Sequence, residues 1–353
     1  MKKKMFQIYE CCIPVKGQSR SIIYDLQRKS FHFIPNGLYE ILKKHKSKTI
    51  EEIKENYINQ LDGIIDEYFE FLISNEYGFW TDEPHRFPQI DLTYESPEII
   101  NNAIIDFDKK SNHPIDKIFQ ELSLLRTKFL EIRFFDDFNI KTLNELILKS
   151  KNTALNNIDI YLKYNNKYDG PYLWHKLLKN NSIIGNIYIH SAPKTERLKG
   201  ENLYKVCFLK QEICSEKQCG IISLEQFNIN IPMFSESLHY NTCLNKKICI
   251  DKNGLIKNCP SMSKNYGNII HESLSNAVNN EDFKSMWFIK KDDITTCQVC
   301  EFRFMCTDCR AFLKEPSNIY SKPLKCGYNP HSNSWSDWSK EPLNLESIKF
   351  YNL

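Results

Sequence analysis

Three short apolar runs open the chain: Phe6 to Ile13, Ser21 to Leu26 and Ser30 to Pro35. They are rich in β-branched and aromatic residues and are separated by the polar stretches Lys16-Gly17-Gln18 and Gln27-Arg28-Lys29, a pattern that predicts three strands. The period then changes to a helical one. Asn36-Gly37 opens a helix with Leu38, Ile41 and Leu42 on one face, and Thr49-Ile50-Glu51-Glu52 has the spacing of a capping box for a second helix through Ile53. A third helix is predicted from about Gln60 to Ser74, where Leu61, Ile64, Ile65, Tyr68, Phe69 and Leu72 recur at helical spacing. Asn75 to Gly78 ends it, and Phe79-Trp80 begins a wing. Thr81 to Ser96, with Pro84 and Pro88, reads as a linker.

From about residue 90 to 241 the two periods alternate. Strands are predicted at Lys128–Phe135, around Ile158, Ile160 and Leu162, at Ile183–Ile189 and at Phe227–Ile231. Helices are predicted at Lys141–Ser150, at Pro171–Asn180 with proline in its first turn, and from Pro232 to about His239. Repeated β-then-α units imply an α/β fold with a parallel sheet or partial barrel. Beyond Tyr240 apolar periodicity is short. A segment of that kind needs something besides a core, and a metal centre is the natural candidate.

Composition narrows the function classes. The 353 residues are 41% hydrophobic and 26% charged, which is a globular balance. No run of 18 apolar residues is present, so no membrane-spanning helix is expected. Met1-Lys2-Lys3-Lys4 imitates the start of a signal peptide, but Gln7, Glu10 and Lys16 interrupt the adjoining stretch and no small-residue cleavage site appears, so a cytoplasmic protein is expected. Average usage would place about 25 glycines in a chain this long. The 11 present form neither GxGxxG nor a phosphate-binding loop, so any ATP would be bound by a partner. A net charge of +3 gives no nucleic-acid footprint. His113, His175, His190, His239 and His271 form no metal-binding pair and read as ordinary histidines.

The cysteines carry the chemistry. Thirteen is an odd number, and a reducing compartment argues against disulfides. Eight fall in one segment: Cys243-x5-Cys249-x4-Gly254-x4-Cys259, a gap of 37 residues, Cys297-x2-Cys300-x5-Cys306-x2-Cys309, a gap of 16, then Cys326. Eight thiolates suffice for two four-ligand sites, and thiolates suit iron–sulfur clusters or zinc. A zinc ribbon expects about 15–20 residues between its two CxxC pairs, whereas five separate Cys300 from Cys306. Cys297, Cys300, Cys306 and Cys309 could still wrap one metal, leaving Cys243, Cys249, Cys259 and Cys326 for another. Gly254 would turn a hairpin that brings Cys249 and Cys259 together. Arg303 and Arg310, set among the thiols, would balance their charge. Cys11, Cys12, Cys207, Cys214 and Cys219 read as structural or incidental.

This run resembles the SPASM domain of peptide-modifying enzymes, C-x(9–15)-G-x4-C, gap, C-x2-C-x5-C-x3-C, gap, C, with one departure, x2 between Cys306 and Cys309. The resemblance covers about 85 residues. It implies two [4Fe–4S] clusters with interleaved ligands: Cys243, Cys249, Cys259 and Cys309 for the first, Cys297, Cys300, Cys306 and Cys326 for the second. SPASM domains usually follow a radical SAM barrel whose first strand ends in Cys-x3-Cys-x2-Cys. That triplet is missing here, since Lys128–Phe135 leads into Asp136-Asp137-Phe138-Asn139. The implied fold is therefore a degenerate radical SAM-type partial (β/α) barrel over residues 90–241, with a SPASM domain over 242–353 and no SAM cleavage. Strands followed by three helices over residues 1–85 resemble the PqqD-like recognition element, a winged helix that binds the leader of a ribosomally made precursor peptide. The segments Asn258-Cys259-Pro260-Ser261-Met262-Ser263, Tyr266-Gly267-Asn268-Ile269, Lys291-Asp292-Asp293-Ile294, Cys300-Glu301-Phe302-Arg303 and Lys325-Cys326-Gly327-Tyr328-Asn329-Pro330 are similar to the peptide maturases of grasp-with-spasm systems, which implies an ATP-grasp ligase as partner. Two other expectations stand beside this one: a redox enzyme acting through a cluster or through Cys214 and Cys219, and a zinc-stapled scaffold.

Overall fold

The alternation at Ile158, Ile160 and Leu162 makes a strand, and the flanking apolar runs supply its partners. The computed structural model describes residues 4–168 and 170–353; residues 1–3, the basic start weighed as a signal region, lie outside it. The first unit runs β1 (Met5–Ile8), β2 (Cys12–Val15), β3 (Ser21–Asp25), β4 (Ser30–Ile34), α1 (Asn36–Lys44), α2 (Ile50–Asn56), α3 (Asp62–Ser74) and β5 (Gly78–Thr81). The run expected as one strand, Phe6–Ile13, is two. A turn closed by Cys12 N–H donating to Tyr9 O (2.8 Å) sends β1 to pair with β5 and β2 to pair with β3. The capping box of α2 forms in full: Thr49 Oγ1 accepts from Glu52 N–H and Glu52 Oε2 accepts from Thr49 N–H. Leu38, Ile41, Ile53, Ile65, Phe69 and Leu72 pack into one small core. Leu61 and Ile64, assigned by spacing to the same face, stay exposed.

The second unit runs β6 (Asn102–Phe107), α4 (Ile115–Leu124), β7 (Phe129–Phe134), α5 (Ile140–Ser150), β8 (Asn157–Lys163), α6 (Pro171–Asn180), β9 (Ile184–His190), β10 (Glu196–Arg197), β11 (Val206–Phe208), α7 (Ile231–His239), β12 (Lys247–Ile250) and β13 (Ile256–Lys257). These strands build one eight-stranded sheet in the order β10-β11-β9-β8-β7-β6-β12-β13. Its inner six strands are parallel, with α4, α5 and α6 as crossovers. The strand expected at Phe227–Ile231 does not form. Asn230 Oδ1 accepts from Met233 N–H (2.8 Å) and Pro232 occupies the first turn, so the segment is the entry to a helix.

Period 2 gives the sheet two unlike faces. Ile105, Ile132, Ile160, Ile187 and Ile248 are fully buried against Ile118, Leu143, Leu146 and Trp174 of the helices. Each such side chain contributes about 1.5–3 kcal/mol. The opposite face carries Asp106, Glu131, Arg133, Tyr161, Tyr188, Lys247 and Cys249. Asp106 and Arg133 are register partners on β6 and β7, and Arg133 grips the carboxylate with two bonds, Nε to Oδ1 at 2.7 Å and Nη2 to Oδ2 at 2.8 Å.

The remaining chain is mostly turns, with α8 (Leu274–Asn279), β14 (Tyr328–Asn329), β15 (Ser334–Trp335) and α9 (Leu345–Tyr351). The first unit is docked onto it. Ile22, Tyr24 and Leu26 share a buried cluster with Phe302, Phe304 and Met305. Glu301 fixes the junction: its carbonyl accepts from Tyr24 Oη (2.6 Å) and its carboxylate from Arg20 Nε (2.8 Å) and Tyr328 Oη (2.6 Å). No helix of the described residues is long and apolar enough to cross a membrane.

Candidate metal centres

Tight turns bring the later cysteines together. Cys297 starts a single 3-10 turn closed by Cys300 N–H donating to Cys297 O (2.9 Å), and Arg303 N–H and Met305 N–H close the next two turns on Cys300 O and Phe302 O. Cys326 is delivered from a distance, as the parallel bridge partner of Ile222. Cys297, Cys300, Cys306 and Cys326 line one pocket, walled by Phe227, Phe302, Tyr328 and Trp335. Lys291 Nζ lies 4.0 Å from Cys297 Sγ. Burial lowers the proton affinity of Lys291, but the Asp308 carboxylate beside it reverses this and holds it charged; thiolates at Cys297 and Cys306 would add to that once formed. Burial pushes Cys306 up to about 12 and Cys300 well above the usual thiol range, so a metal must displace protons to bind.

Cys243, Cys259 and Cys309 lie within electrostatic reach of one another, and Cys249 lies beside Cys259. Asn241 Oδ1 accepts from the N–H groups of Cys243 (3.0 Å) and Leu244 (2.9 Å), which sets the turn presenting Cys243. Cys249 lies on β12 and Cys259 follows β13; Gly254, at φ +81°, turns between the strands. Lys247 Nζ donates to Cys243 Sγ (3.3 Å). Burial raises Cys259, with added repulsion from Cys243 and Cys219; burial likewise raises Cys309 to about 12, with Cys243 next. Each group of sulfurs thus has a lysine ammonium beside it, which fits ligands that become anionic on binding.

The donor spacing bears on which metal fits. Zinc, with Zn–S bonds of about 2.3 Å, draws its sulfurs to about 3.8 Å of one another. Among the described residues, the one group of three donors lying within 4.8 Å of one another is Cys11, Cys12 and Asp25. Its carboxylate already accepts from Arg28 Nε (2.5 Å) and from the Gln27 and Arg28 N–H groups, which leaves it a structural cap. Among the described residues, no three of the other eight sulfurs lie that close to one another.

Of the remaining residues singled out in the sequence, Cys207 is buried on β11 and Cys214 accepts from Gln218 Nε2 (3.4 Å). Arg310 pairs with Asp308 and Arg303 with Asp292. His113 and His190 are hydrogen-bonded to backbone carbonyls, whereas His175, His239 and His271 lie on the surface. Three participants have no signal in the spacing pattern. Lys247 and Lys291 are single charges whose role depends on packing. Cys219 stands among the first group of thiols, beside Cys243 and Lys247. Its one local clue is the following Gly220, a scarce residue here, at φ +84°.

No protein-family model matches the chain, and no curated protein matches it. Solved structures to which it is similar include SuiB of Streptococcus suis bound to S-adenosylmethionine, at 11% identity and TM-score 0.33 over 90% of this chain and 99% of that one. A second is SuiB bound to the precursor peptide SuiA, at 10% identity and TM-score 0.29 over 90% and 98% of the two chains.

Proposed function

We propose that the chain is a peptide-maturation factor that binds a ribosomal precursor peptide and carries two [4Fe–4S] clusters in a SPASM-type domain, on a degenerate radical SAM-type barrel. The observation that carries this reading is the cavity lined by Cys297, Cys300, Cys306 and Cys326 with a second group of thiols beside it. When bound, fully ligated clusters supply structural cross-linking or one-electron transfer. The chain's own residues do the rest. Lys247 and Lys291 offset the thiolate charge, and the aromatic wall of Phe227, Phe302, Tyr328 and Trp335 restricts water at the second site. Cys243, Cys259 and Cys309 would hold the first cluster, with Cys249 as the fourth ligand by resemblance.

The N-terminal unit would hold the leader. β4 ends its three-stranded sheet, so its outer backbone groups can accept an added strand. Because this unit is seated on Glu301, next to Cys300, a bound leader would lie on the same side as the second cluster. With no phosphate-binding loop in the chain, bond formation using ATP would fall to an ATP-grasp partner.

Iron and sulfide analysis of anaerobically purified protein tests the cofactor: about eight of each per chain are expected, and about two zinc ions without iron would overturn it. Mass spectrometry of a co-expressed precursor, with and without this protein, tests the function. An unchanged precursor mass pattern would refute a maturation role.

A further inference from the structure

Cys11 and Cys12 belong to neither group of cluster thiols. They form the turn at which the chain leaves β1 for β2. Cys12 N–H closes that turn on Tyr9 O (2.8 Å), and Cys11 O accepts from Leu26 N–H (3.0 Å), so both backbones are fixed. The side chains converge: Cys11 Sγ lies 4.0 Å from Cys12 Sγ, close to van der Waals contact.

The two thiols have unlike surroundings. Cys11 is half-buried, and its Sγ meets Gln27 Oε1 (3.7 Å) at the surface. Cys12 is 3% exposed, packs in the small core and donates to Asp25 Oδ2 (3.7 Å). Burial, and then the Asp25 carboxylate, keep the proton on Cys12. A reagent from solvent therefore meets Cys11 first, and whatever forms there has a second thiol in contact with it. A metal fits less well. Asp25 Oδ2 accepts from Arg28 Nε (2.5 Å) and Oδ1 from the Gln27 and Arg28 N–H groups, so the third donor is already engaged and a guanidinium cation stands beside it.

We propose that Cys11 and Cys12 are a modification site for hydrogen peroxide, closing reversibly to a disulfide between adjacent residues. In the first step Cys11 Sγ attacks the peroxide, the O–O bond breaks, water leaves and Cys11 becomes a sulfenic acid. In the second, Cys12 Sγ attacks that sulfur: the S–S bond forms, the S–O bond breaks, and hydroxide leaves as water with the Cys12 proton, for which Asp25 Oδ2 is the neighbouring acceptor. Two thiols and one hydrogen peroxide give one disulfide and two waters; the sulfurs are oxidised and the peroxide is reduced. Capture by a neighbour matters, because a sulfenic acid left alone proceeds to the irreversible sulfinic acid. Adjacent Cα atoms are about 3.8 Å apart across a trans peptide, closer than the roughly 4.4–6.8 Å usual for disulfides. The closed pair is strained, and cellular thiols reopen it readily. It suits a reversible mark and not a permanent staple.

Trypsin releases Met5–Lys16 as one peptide that holds Cys11, Cys12 and no other cysteine. Anaerobically purified full-length protein is titrated with hydrogen peroxide until the exposed Cys214 reacts, quenched with catalase, alkylated and mapped by mass spectrometry. The Met5–Lys16 peptide should be unalkylated and about 2 Da lighter than the reduced form, and dithiothreitol before alkylation should return it to the doubly alkylated form. A doubly alkylated peptide at that dose, a sulfinic acid on Cys11, or a cross-link from either cysteine to another peptide would overturn the proposal. In Cys12→Ala the capturing thiol is gone, so Cys11 should gain oxygen atoms of about 16 Da each. An unoxidised Cys11 in that variant also overturns the proposal; should the variant not fold, the wild-type peptide map decides alone. The readout involves no iron, so failure of the cluster reading would leave this site standing.

Discussion

Asp308, between Cys306 and Cys309, is the residue whose loss should damage the C-terminal segment most without touching a thiol. It is 1% exposed and its carboxylate meets four donor groups. Lys291 Nζ lies 2.9 Å from Oδ1, Arg310 Nη2 donates to Oδ1 (2.8 Å), Arg310 Nε lies 2.7 Å from Oδ2, and Asn241 Nδ2 donates to Oδ2 (2.6 Å). Lys291 and Arg310 are each 4% exposed. Asp308→Asn keeps the shape, removes the one negative charge between two buried cations, and turns an acceptor toward a donor. Breaking a buried pair on one side costs about 3–5 kcal/mol, a large share of a typical stability of about 5–15 kcal/mol. With a urea dependence of about 3 kcal/mol per molar, the midpoint should fall by about 1–2 M. Urea unfolding of the loaded protein, followed by circular dichroism, measures this. Adding Lys291→Met to Asp308→Asn should restore part of the loss, because one stranded cation is then gone. A midpoint within about 0.3 M of wild type for Asp308→Asn would refute the reasoning that this carboxylate neutralises both cations.

Thr49→Ala removes half of the capping box of α2 and should cost about 1 kcal/mol, visible as faster amide exchange confined to Ile50–Asn56. Gly220→Ala must hold alanine at φ +84° and place its methyl 2.9 Å from Cys309 Sγ, so it should destabilise by more than about 1 kcal/mol and lower the iron content of the first site. His190 is buried, its Nε2–H donates to Phe134 O (2.9 Å), and its Nδ1 accepts from Ile213 N–H (3.4 Å), an arrangement that requires the neutral ring. Burial lowers its proton affinity below the ordinary value of 6.5, so on acidification the unfolded chain takes up the proton first. Its contribution is complete above about pH 6.5 and is lost as the pH falls from there toward the folded-state value. The difference in urea midpoint between wild type and His190→Gln should therefore shrink between pH 7.5 and pH 5.5, and an equal difference at both would count against this account.

Local order is legible where one face of an element is buried and the other is not. Ile158, Ile160 and Leu162 mark β8, Leu143, Leu146 and Ile147 mark α5, and the Thr49–Glu52 pair marks the start of α2, because each signal lies within a few residues. β6 is hidden because its buried residues are continuous: Ala103, Ile104 and Ile105 are followed by a buried Asp106, so no alternation shows. The acid is tolerated there only because Arg133 is its register partner, a fact of strand pairing. The apolar run at Phe227 misleads for the opposite reason. Its aromatic ring packs on Phe302 and Trp335, so hydrophobicity there reports a tertiary contact and not a strand.

The cysteines divide in the same way. Their identity as soft ligands and the hairpin joining Cys249 to Cys259 are properties of the sequence, since side-chain chemistry and a glycine turn are local. Which sulfurs face a common space is not local. β12 is drawn into the eight-stranded sheet beside β6, which turns Cys249 toward Asp106 and buries it fully. The carbonyls of Lys217 and Cys219 are held by Lys325, which sets Gly220 against Cys309. Both movements are decided by burial and pairing between residues tens to hundreds of positions apart, and no spacing rule within one segment contains them.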